Sequence, residues 1–387
     1  MTTAPSYADL SDRFGALFGE IARDEREREH RREPPRAQLA RLVDAGFAGL
    51  RVPVEHGGEG ASLSVVIRLL ADLAEADSNL AHLWRNHLSF VEDRRHDAAD
   101  PRSAVWLRRL GEGALVGGGW SEPGVPGSPA LTSRLVRDGD RMLLSGTKMY
   151  ATGSIYADWS TVLATEPGGQ KVVVLVDMDD PRVRVGDDWD GFGQRLTGSG
   201  SVVYDDVVVD PENVFAFATR YPYQHQFYQS ALNALLVGIT RAVLRDGVSA
   251  LRARPRNHPS ATTADPTADP ELLEIIGRIG ADAFAAESAF LRSLEQLDAV
   301  AEGALDDPRD LTRSWISTSA TQLISADIAL RTATDIFDVL GSSGTSGRFG
   351  LDRHWRNART IISHNPRPYR QRTIGDWLVN AVDPAVA

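Results

Sequence analysis

The 387-residue sequence predicts an α+β protein: an N-terminal helical domain, a central antiparallel β domain with a barrel-like form, and a C-terminal four-helix bundle. Three observations predict it. Apolar residues recur at helical spacing up to about residue 110, the apolar period drops to two from about Leu115, and the helical period returns from about Tyr221. The divisions fall at residues 1–114, 115–218 and 219–387, and no internal repeat is visible.

In the first block, the mixed-charge run Arg23 to Arg36 ends in Pro34-Pro35 and reads as a solvated helix end followed by a break. Leu39, Leu42, Val43 and Phe47 repeat at helical spacing, and Gly57, Gly58 and Gly60 form a turn. Helices follow over Leu63 to Ala76 and Asn79 to about Arg95, the second with Leu80, Leu83, Trp84, His87, Leu88 and Val91 on one face. In the second block, Leu131 to Val136 and Met142 to Thr147 flank Asp138-Gly139-Asp140, a hairpin signal. Thr161 to Thr165 and Lys171 to Asp177 flank Pro167-Gly168-Gly169, and Ser201 to Val209 is another strand. No helix-length segment separates these strands, so they should pair antiparallel, which excludes a βαβ dinucleotide fold there. In the third block, Ala231 to Arg252, Pro270 to Ala301 and Leu311 to Leu340 read as long helices of a bundle, with a loop over Arg254 to Asp269.

Composition narrows the function. The net charge is −11, which argues against a nucleic-acid binder. The chain has no cysteine, so disulfides, thiolate nucleophiles, Cys-ligated zinc and iron–sulfur clusters are excluded. Lys148 and Lys171 are the sole lysines, and both sit in strand-like stretches that do not favour a Schiff-base role. His30, His96 and His354 stand in exposed-looking charged runs, and no metal site is expected. No Walker-type loop, G-x-S-x-G elbow or strand–GxGxxG–helix nicotinamide fingerprint is present. No apolar run approaches the ~20 residues that span a bilayer, and MTTAPSYADL does not read as a signal peptide, so a cytoplasmic protein is expected.

Local strings then carry a resemblance along nearly the whole chain. They are Leu42-Val43-Asp44-Ala45-Gly46-Phe47 with Gly57-Gly58-Glu59-Gly60, Trp120-Ser121-Glu122-Pro123-Gly124 with Gly127-Ser128, and Gly146-Thr147-Lys148-Met149-Tyr150-Ala151-Thr152-Gly153. Near the end come Gly341-Ser342-Ser343-Gly344-Thr345-Ser346 and Arg353-His354-Trp355-Arg356-Asn357-Ala358-Arg359. In this order they resemble the acyl-CoA dehydrogenase superfamily of flavoproteins. Dehydrogenases of that superfamily place a Glu just after the last of these segments, or on the first bundle helix. Here neither Thr360 to Pro366 nor Gln224 to Val237 contains Asp or Glu. Instead, His364-Asn365-Pro366-Arg367-Pro368-Tyr369-Arg370 through Arg372, Gly375, Asp376 and Trp377 resembles the ending of the two-component flavin-dependent monooxygenase branch, of the dibenzothiophene monooxygenase, hydroxyphenylacetate hydroxylase oxygenase and amino-sugar N-oxygenase type.

The resemblance implies an oxygenase component that takes reduced FMN or FAD from a separate NAD(P)H:flavin reductase. Dioxygen adds at flavin C4a, and the (hydro)peroxyflavin hydroxylates or N- or S-oxidises a small organic substrate of secondary metabolism, an aromatic one among the candidates. It implies a homotetramer, and the charge and the lack of a long apolar run add the expectation of no nucleic-acid or membrane partner. It further implies that Thr152 holds flavin N5, that Tyr150 packs on the ring, and that His364 and His87 line the oxygenated position, with His82 the competing choice about 140° round the helix. Backbone groups of Trp120 and Ser121 would meet the ring and Ser128 the ribityl phosphate, while Arg256 (beside Arg254), Gly344 and Thr345 would reach the phosphate. Glu122 serves its loop and is not the base. Tyr221, Tyr223, Phe227 and Tyr228 read equally as an aromatic pocket or as core. Two other readings remain: an FAD-dependent acyl-CoA dehydrogenase with a non-standard base, marked by a carboxylate near N5, and a non-catalytic flavin-binding protein.

Overall fold

The computed structural model describes residues 4–124, 131–303 and 307–384. Five helices open the chain: α1 (Tyr7–Arg31), α2 (Arg36–Asp44), α3 (Leu63–Ala76), α4 (Ser78–His96) and α5 (Pro101–Gly111). Eight strands follow: β1 (Val116–Gly119), β2 (Arg134–Asp138), β3 (Arg141–Lys148), β4 (Trp159–Thr165), β5 (Lys171–Asp177), β6 (Val183–Val185), β7 (Val202–Val209) and β8 (Val214–Ala216). The chain ends in α6 (Gln224–Arg252), α7 (Pro270–Ala301), α8 (Pro308–Leu340), α9 (Asp352–Ile362) and α10 (Arg367–Asn380).

The helix starts are written in the sequence. Asp100-Pro101, Asp269-Pro270 and Asp307-Pro308 each put an aspartate at the N-cap and a proline at the first helical position, where no backbone N–H is needed. Asp77 caps α4 by accepting from the N–H groups of Asn79 and Leu80. Ser6 and Asp9 form a reciprocal capping box on α1.

The sheet runs β6-β7-β3-β2-β4-β5-β8, with β1 beside β4. Most pairs are antiparallel, as the short connections require, but β1 and β2 each run parallel to β4, contrary to the all-antiparallel expectation. The reason is connectivity. The link between β3 and β4 is a loop with a 3₁₀ turn at Ser154–Tyr156 rather than a hairpin, and it returns the chain in the direction of β1. In the bundle, α6, α7 and α8 pack together, and α9 adds a fourth helix against α6 and α8. Residues 254–265 carry no helix or strand, as their composition predicts.

One expectation holds only in part. The helix ends at Arg31 and most of the charge run is exposed, but one stripe of it is not solvated. Glu25, Arg28 and Glu29 recur at one-turn spacing and are buried. Glu25 pairs with Arg353 (2.8 Å) and Arg28 with Asp77 (3.0 Å). The Glu29 carboxylate accepts from Asn79 (3.0 Å), Asn357 (2.9 Å) and Arg356 (3.0 Å), and so ties α1 to α4 and α9. Aromatic packing supplements these contacts, with Phe47 standing between Phe14 (5.4 Å) and Trp84 (4.7 Å). Replacing Glu29 by Ala strands these buried donors, so denaturant titration should show a loss of about 3 kcal/mol. A loss near zero would remove the network from the fold's supports.

Candidate active site

A cavity of about 640 Å³ opens where α4, the end of β1, the 189–200 segment, the start of α6 and the end of α9 meet. Wider hollows of about 910 and 710 Å³ lie between α6 and α7 and beside α1, but neither gathers any of the candidate catalytic or cofactor-binding residues. The smaller cavity gathers Trp120, Ser121, Tyr150, Thr152 and His364. Its size is that of a pocket for a cofactor or a drug-sized molecule.

From α4 it receives His82, Arg85 and Asn86. His82 is buried, and its ring stands edge-on to that of His364 with centroids 5.2 Å apart. Its Nδ1 lies 2.9 Å from Gln194 Oε1, while Gln194 Nε2 donates to Ser78 Oγ at 3.1 Å. With the amide so placed, His82 Nδ1 carries the proton and donates, and Nε2, which has no partner among the described residues, is left as an acceptor. Burial, then the Arg85 charge, holds the His82 pKa well below its ordinary value of 6.5. His364 sits in the turn between α9 and α10, with one edge open to solvent. Crowding by the wall and the Arg85 charge lower its pKa too, though hydration of the open edge offsets part of this. Both imidazoles are therefore neutral at pH 7. The turn is fixed from the bundle, where Asn365 donates to Gln229 Oε1 (2.8 Å) and Gln322 donates to the Asn365 carbonyl (3.0 Å).

Gln194 itself has φ 53°, a conformation an L residue adopts only under constraint. The constraint is Asn357, whose Oδ1 accepts from the Gln194 N–H at 2.6 Å. Asn79 similarly accepts from the Leu196 N–H at 3.2 Å. The Glu29 network thus positions the segment that orients His82.

A ladder of hydroxyls borders the opposite wall. Thr197 donates to the Gln194 carbonyl (2.8 Å), Ser199 lies 2.7 Å from Thr197, and Thr152 lies 2.8 Å from Ser199. Each hydroxyl has one proton, so the Thr197 bond sets the sense: Ser199 donates to Thr197 and Thr152 donates to Ser199. Thr152 then offers only lone pairs to the cavity. Asn86 ties this wall to α4 by donating to the Thr152 carbonyl at 3.0 Å.

Tyr150 and Thr152 were expected to share a strand face. The strand ends at Lys148, and Tyr150 has φ 56°, yet both residues line the cavity. The Tyr150 ring is 58% exposed and meets Trp189 edge-on at 5.9 Å, so it forms a rim. Trp120 is anchored by its indole N–H to Thr161 Oγ1 (3.1 Å), and the Ser121 carbonyl is taken by the Met149 N–H (2.8 Å). Ser128 lies outside the described residues.

Three expectations need correction or relocation. His87 does not face the cavity: its Nε2 lies 2.9 Å from the Ala48 carbonyl, Trp84 packs on its ring, and burial lowers its pKa to about 4. It lies on the core stripe of α4, and His82 occupies the cavity position. Arg256 is exposed, and Thr345 is exposed with its hydroxyl on the Ser342 carbonyl; neither they nor Gly344 line this chain's cavity. Of the aromatic group, Tyr221, Tyr223 and Phe227 are core, and Tyr228 alone lines the cavity.

Three segments match the acyl-CoA dehydrogenase domains: the N-terminal domain over residues 16–113, the middle domain over 117–207 and the C-terminal domain over 230–366. The chain belongs to the acyl-CoA dehydrogenase family. Within the family, it is similar to a dibenzothiophene monooxygenase of Rhodococcus qingshengii, at 26% identity over 90% of this chain and 88% of the relative. It is similar to SfnC of Pseudomonas putida, described as a probable FMNH2-dependent monooxygenase, at 26% identity over 95% and 94%. Its fold matches the FMN-bound crystal structure of TdsC from Paenibacillus sp. A11-2 with TM-score 0.91 and 26% identity, covering 97% of this chain and 98% of that one.

No carboxylate lines the cavity among the described residues. Glu122, the nearest in sequence to its wall, is fully engaged: Lys148 Nζ lies at 2.5 Å, and the backbone N–H groups of Thr132 (2.5 Å) and Ser133 (3.0 Å) donate to it. Partial burial opposes its ionisation, but Lys148 and these donors prevail and bring its pKa from 4.5 to about 2. Reading the sequence missed Arg85, Asn86, Trp189, Phe192, Gln194 and Ser199. The available signals were polar residues on an otherwise apolar helix and the Gly-rich aromatic stretch Trp189 to Gly200. Because the folded pKa of Glu122 lies below the unfolded one, the stability this ion pair contributes is present above pH 4.5 and lost as pH falls toward 2. Glu122→Gln should therefore destabilise the protein by about 3 kcal/mol at pH 7, with Lys148 left buried and unpaired, and the gap from wild type should close on acidification. A gap independent of pH would show that Glu122 is not the titrating group.

Proposed function

We propose that the protein is the oxygenase component of a two-component flavin-dependent monooxygenase that uses reduced FMN and dioxygen. One oxygen atom of O2 enters a small organic substrate and the other leaves as water, the two further electrons coming from FMNH2. The flavin supplies the redox chemistry; the protein supplies position, shelter and hydrogen bonds. The observation that carries the reading is the cavity's lining. It offers neutral histidines and a hydroxyl acceptor, but no carboxylate to strip a carbon-bound proton.

The chain's residues fit a flavin. Trp120, Tyr150 and Trp189 offer aromatic surface to a ring. Thr152, held as an acceptor by Ser199, suits the N5–H of reduced flavin. The unpartnered Nε2 of His82 and the adjoining ring of His364 can accept or relay a proton at the reacting edge. The relatives support FMN: SfnC is described as FMNH2-dependent, and TdsC structures hold FMN and indole. A separate flavin reductase is the source of FMNH2, and an aromatic substrate is compatible with the walls. Arg256, Gly344 and Thr345 lie away from this chain's cavity, and we assign them to the FMN phosphate of a neighbouring subunit in a homotetramer.

The test is turnover with photoreduced FMN and oxygen, with indole as probe substrate. The account expects oxygenated indole with little hydrogen peroxide. Thr152→Val and His364→Ala should still bind FMN but release roughly tenfold more peroxide per oxygen consumed. Unchanged coupling in both would remove their assigned roles. Anaerobic reduction of the flavin by an acyl-CoA thioester would favour a dehydrogenase instead.

A further inference from the structure

Arg85 differs from most of the arginines packed into the molecule; Arg195, whose buried Nε also lacks a partner among the described residues, and Arg94, whose nearest carboxylate is Asp97 at 3.9 Å, do not line the cavity. Arg28, Arg51, Arg220 and Arg353 each hold a carboxylate, at 3.0 Å (Asp77), 2.5 Å (Glu92), 2.8 Å (Asp93) and 2.8 Å (Glu25). Arg85 makes no ion pair or side-chain hydrogen bond among the described residues, and its buried Nε has no partner. Its only directed contact is the Tyr228 ring, 5.6 Å from the guanidinium carbon. It is also the one charged side chain among the described residues that line the cavity, since His82 and His364 are neutral. A partly buried guanidinium with no counter-charge is costly to keep, and its planar fork matches a two-oxygen anion. Burial pushes its pKa down from 12.5, yet Arg remains charged.

We propose that Arg85 is the substrate anchor, and that the substrate is a small molecule with an anionic two-oxygen group, a carboxylate or sulfinate, on an apolar or aromatic body. Two parallel N–H···O bonds from Arg85 hold the anion beside Tyr228, and the body extends past His364 toward the Trp189 and Phe192 side of the cavity. The inference rests on the reading of this cavity as the substrate site, but not on which flavin it holds. Reading the sequence for acids and bases did not reveal it, because the informative feature is the missing partner of a base that never titrates.

The test is equilibrium binding of benzoate, benzenesulfinate and the neutral isostere benzamide, to the protein with and without FMN. The native protein should bind both anions at least about tenfold more tightly than benzamide, a ratio typical of charge-assisted hydrogen bonds. Arg85→Gln should bring the anions to the benzamide level and leave benzamide and FMN binding unchanged. Arg85→Lys should keep part of the preference, since it keeps the charge without the fork. Arg85→Gln should melt close to wild type, because no ion pair or hydrogen bond is lost and only the distant Tyr228 ring contact goes. Equal binding of anions and benzamide by the native protein would overturn the proposal. So would loss of FMN affinity in Arg85→Gln, which would assign Arg85 to the cofactor. Discrimination between benzoate and benzamide by a protein that binds no FMN would sink the flavin reading and leave this one standing.

Discussion

The carboxylate of Glu29 is the constraint on which the site depends. It lies inside the molecule and gathers donors from α4 and α9 onto an acid carried by α1. Asn357, so held, fixes Gln194 in a left-handed backbone conformation, and Gln194 orients His82. A buried carboxylate without those three donors would be unaffordable in free energy, so sequence positions more than 300 residues apart are bound to one geometry. The chemistry of the cavity is thus set by a group that never touches it.

The second feature is electrical. Most acids and bases inside this protein are matched in close pairs: Arg51 with Glu92, Arg220 with Asp93, Arg353 with Glu25, Lys148 with Glu122. The cavity stands outside that matching. Its titratable rings are neutral, its hydroxyls are ordered into acceptors, and its single cation is unmatched. Such a lining is poor at removing a carbon-bound proton and well suited to holding a reactive oxygen species away from bulk water beside a negatively charged substrate. That is a consistent use of the acyl-CoA dehydrogenase fold for oxygen transfer, and it agrees with the monooxygenases to which the chain is similar.

Much of the fold was legible because its signals are local. Periodicity places α3 at Leu63–Ala76 and α7 at Pro270–Ala301 as observed, and Asp-Pro pairs mark three helix starts. What escaped is non-local. The dense charges of α1 look solvated until Arg353, Arg356 and Asn357 arrive from the far end of the chain. The choice between His82 and His87 depended on which stripe of α4 the core claims, and Ala48 with Trp84 claims that of His87. Tyr150 reached the cavity through a left-handed turn rather than by strand alternation. Those outcomes are set by tertiary packing, which a single stretch of sequence does not encode.

The most direct measurement of the account is the protonation state of His82, read from the ¹⁵N shifts of histidine-labelled protein at pH 7 and assigned by comparison with His82→Gln. The account predicts a neutral ring with the proton on Nδ1 and a bare Nε2. A cationic imidazole, or a proton on Nε2, would contradict the line of contacts from Glu29 to Gln194 on which the chemistry is built.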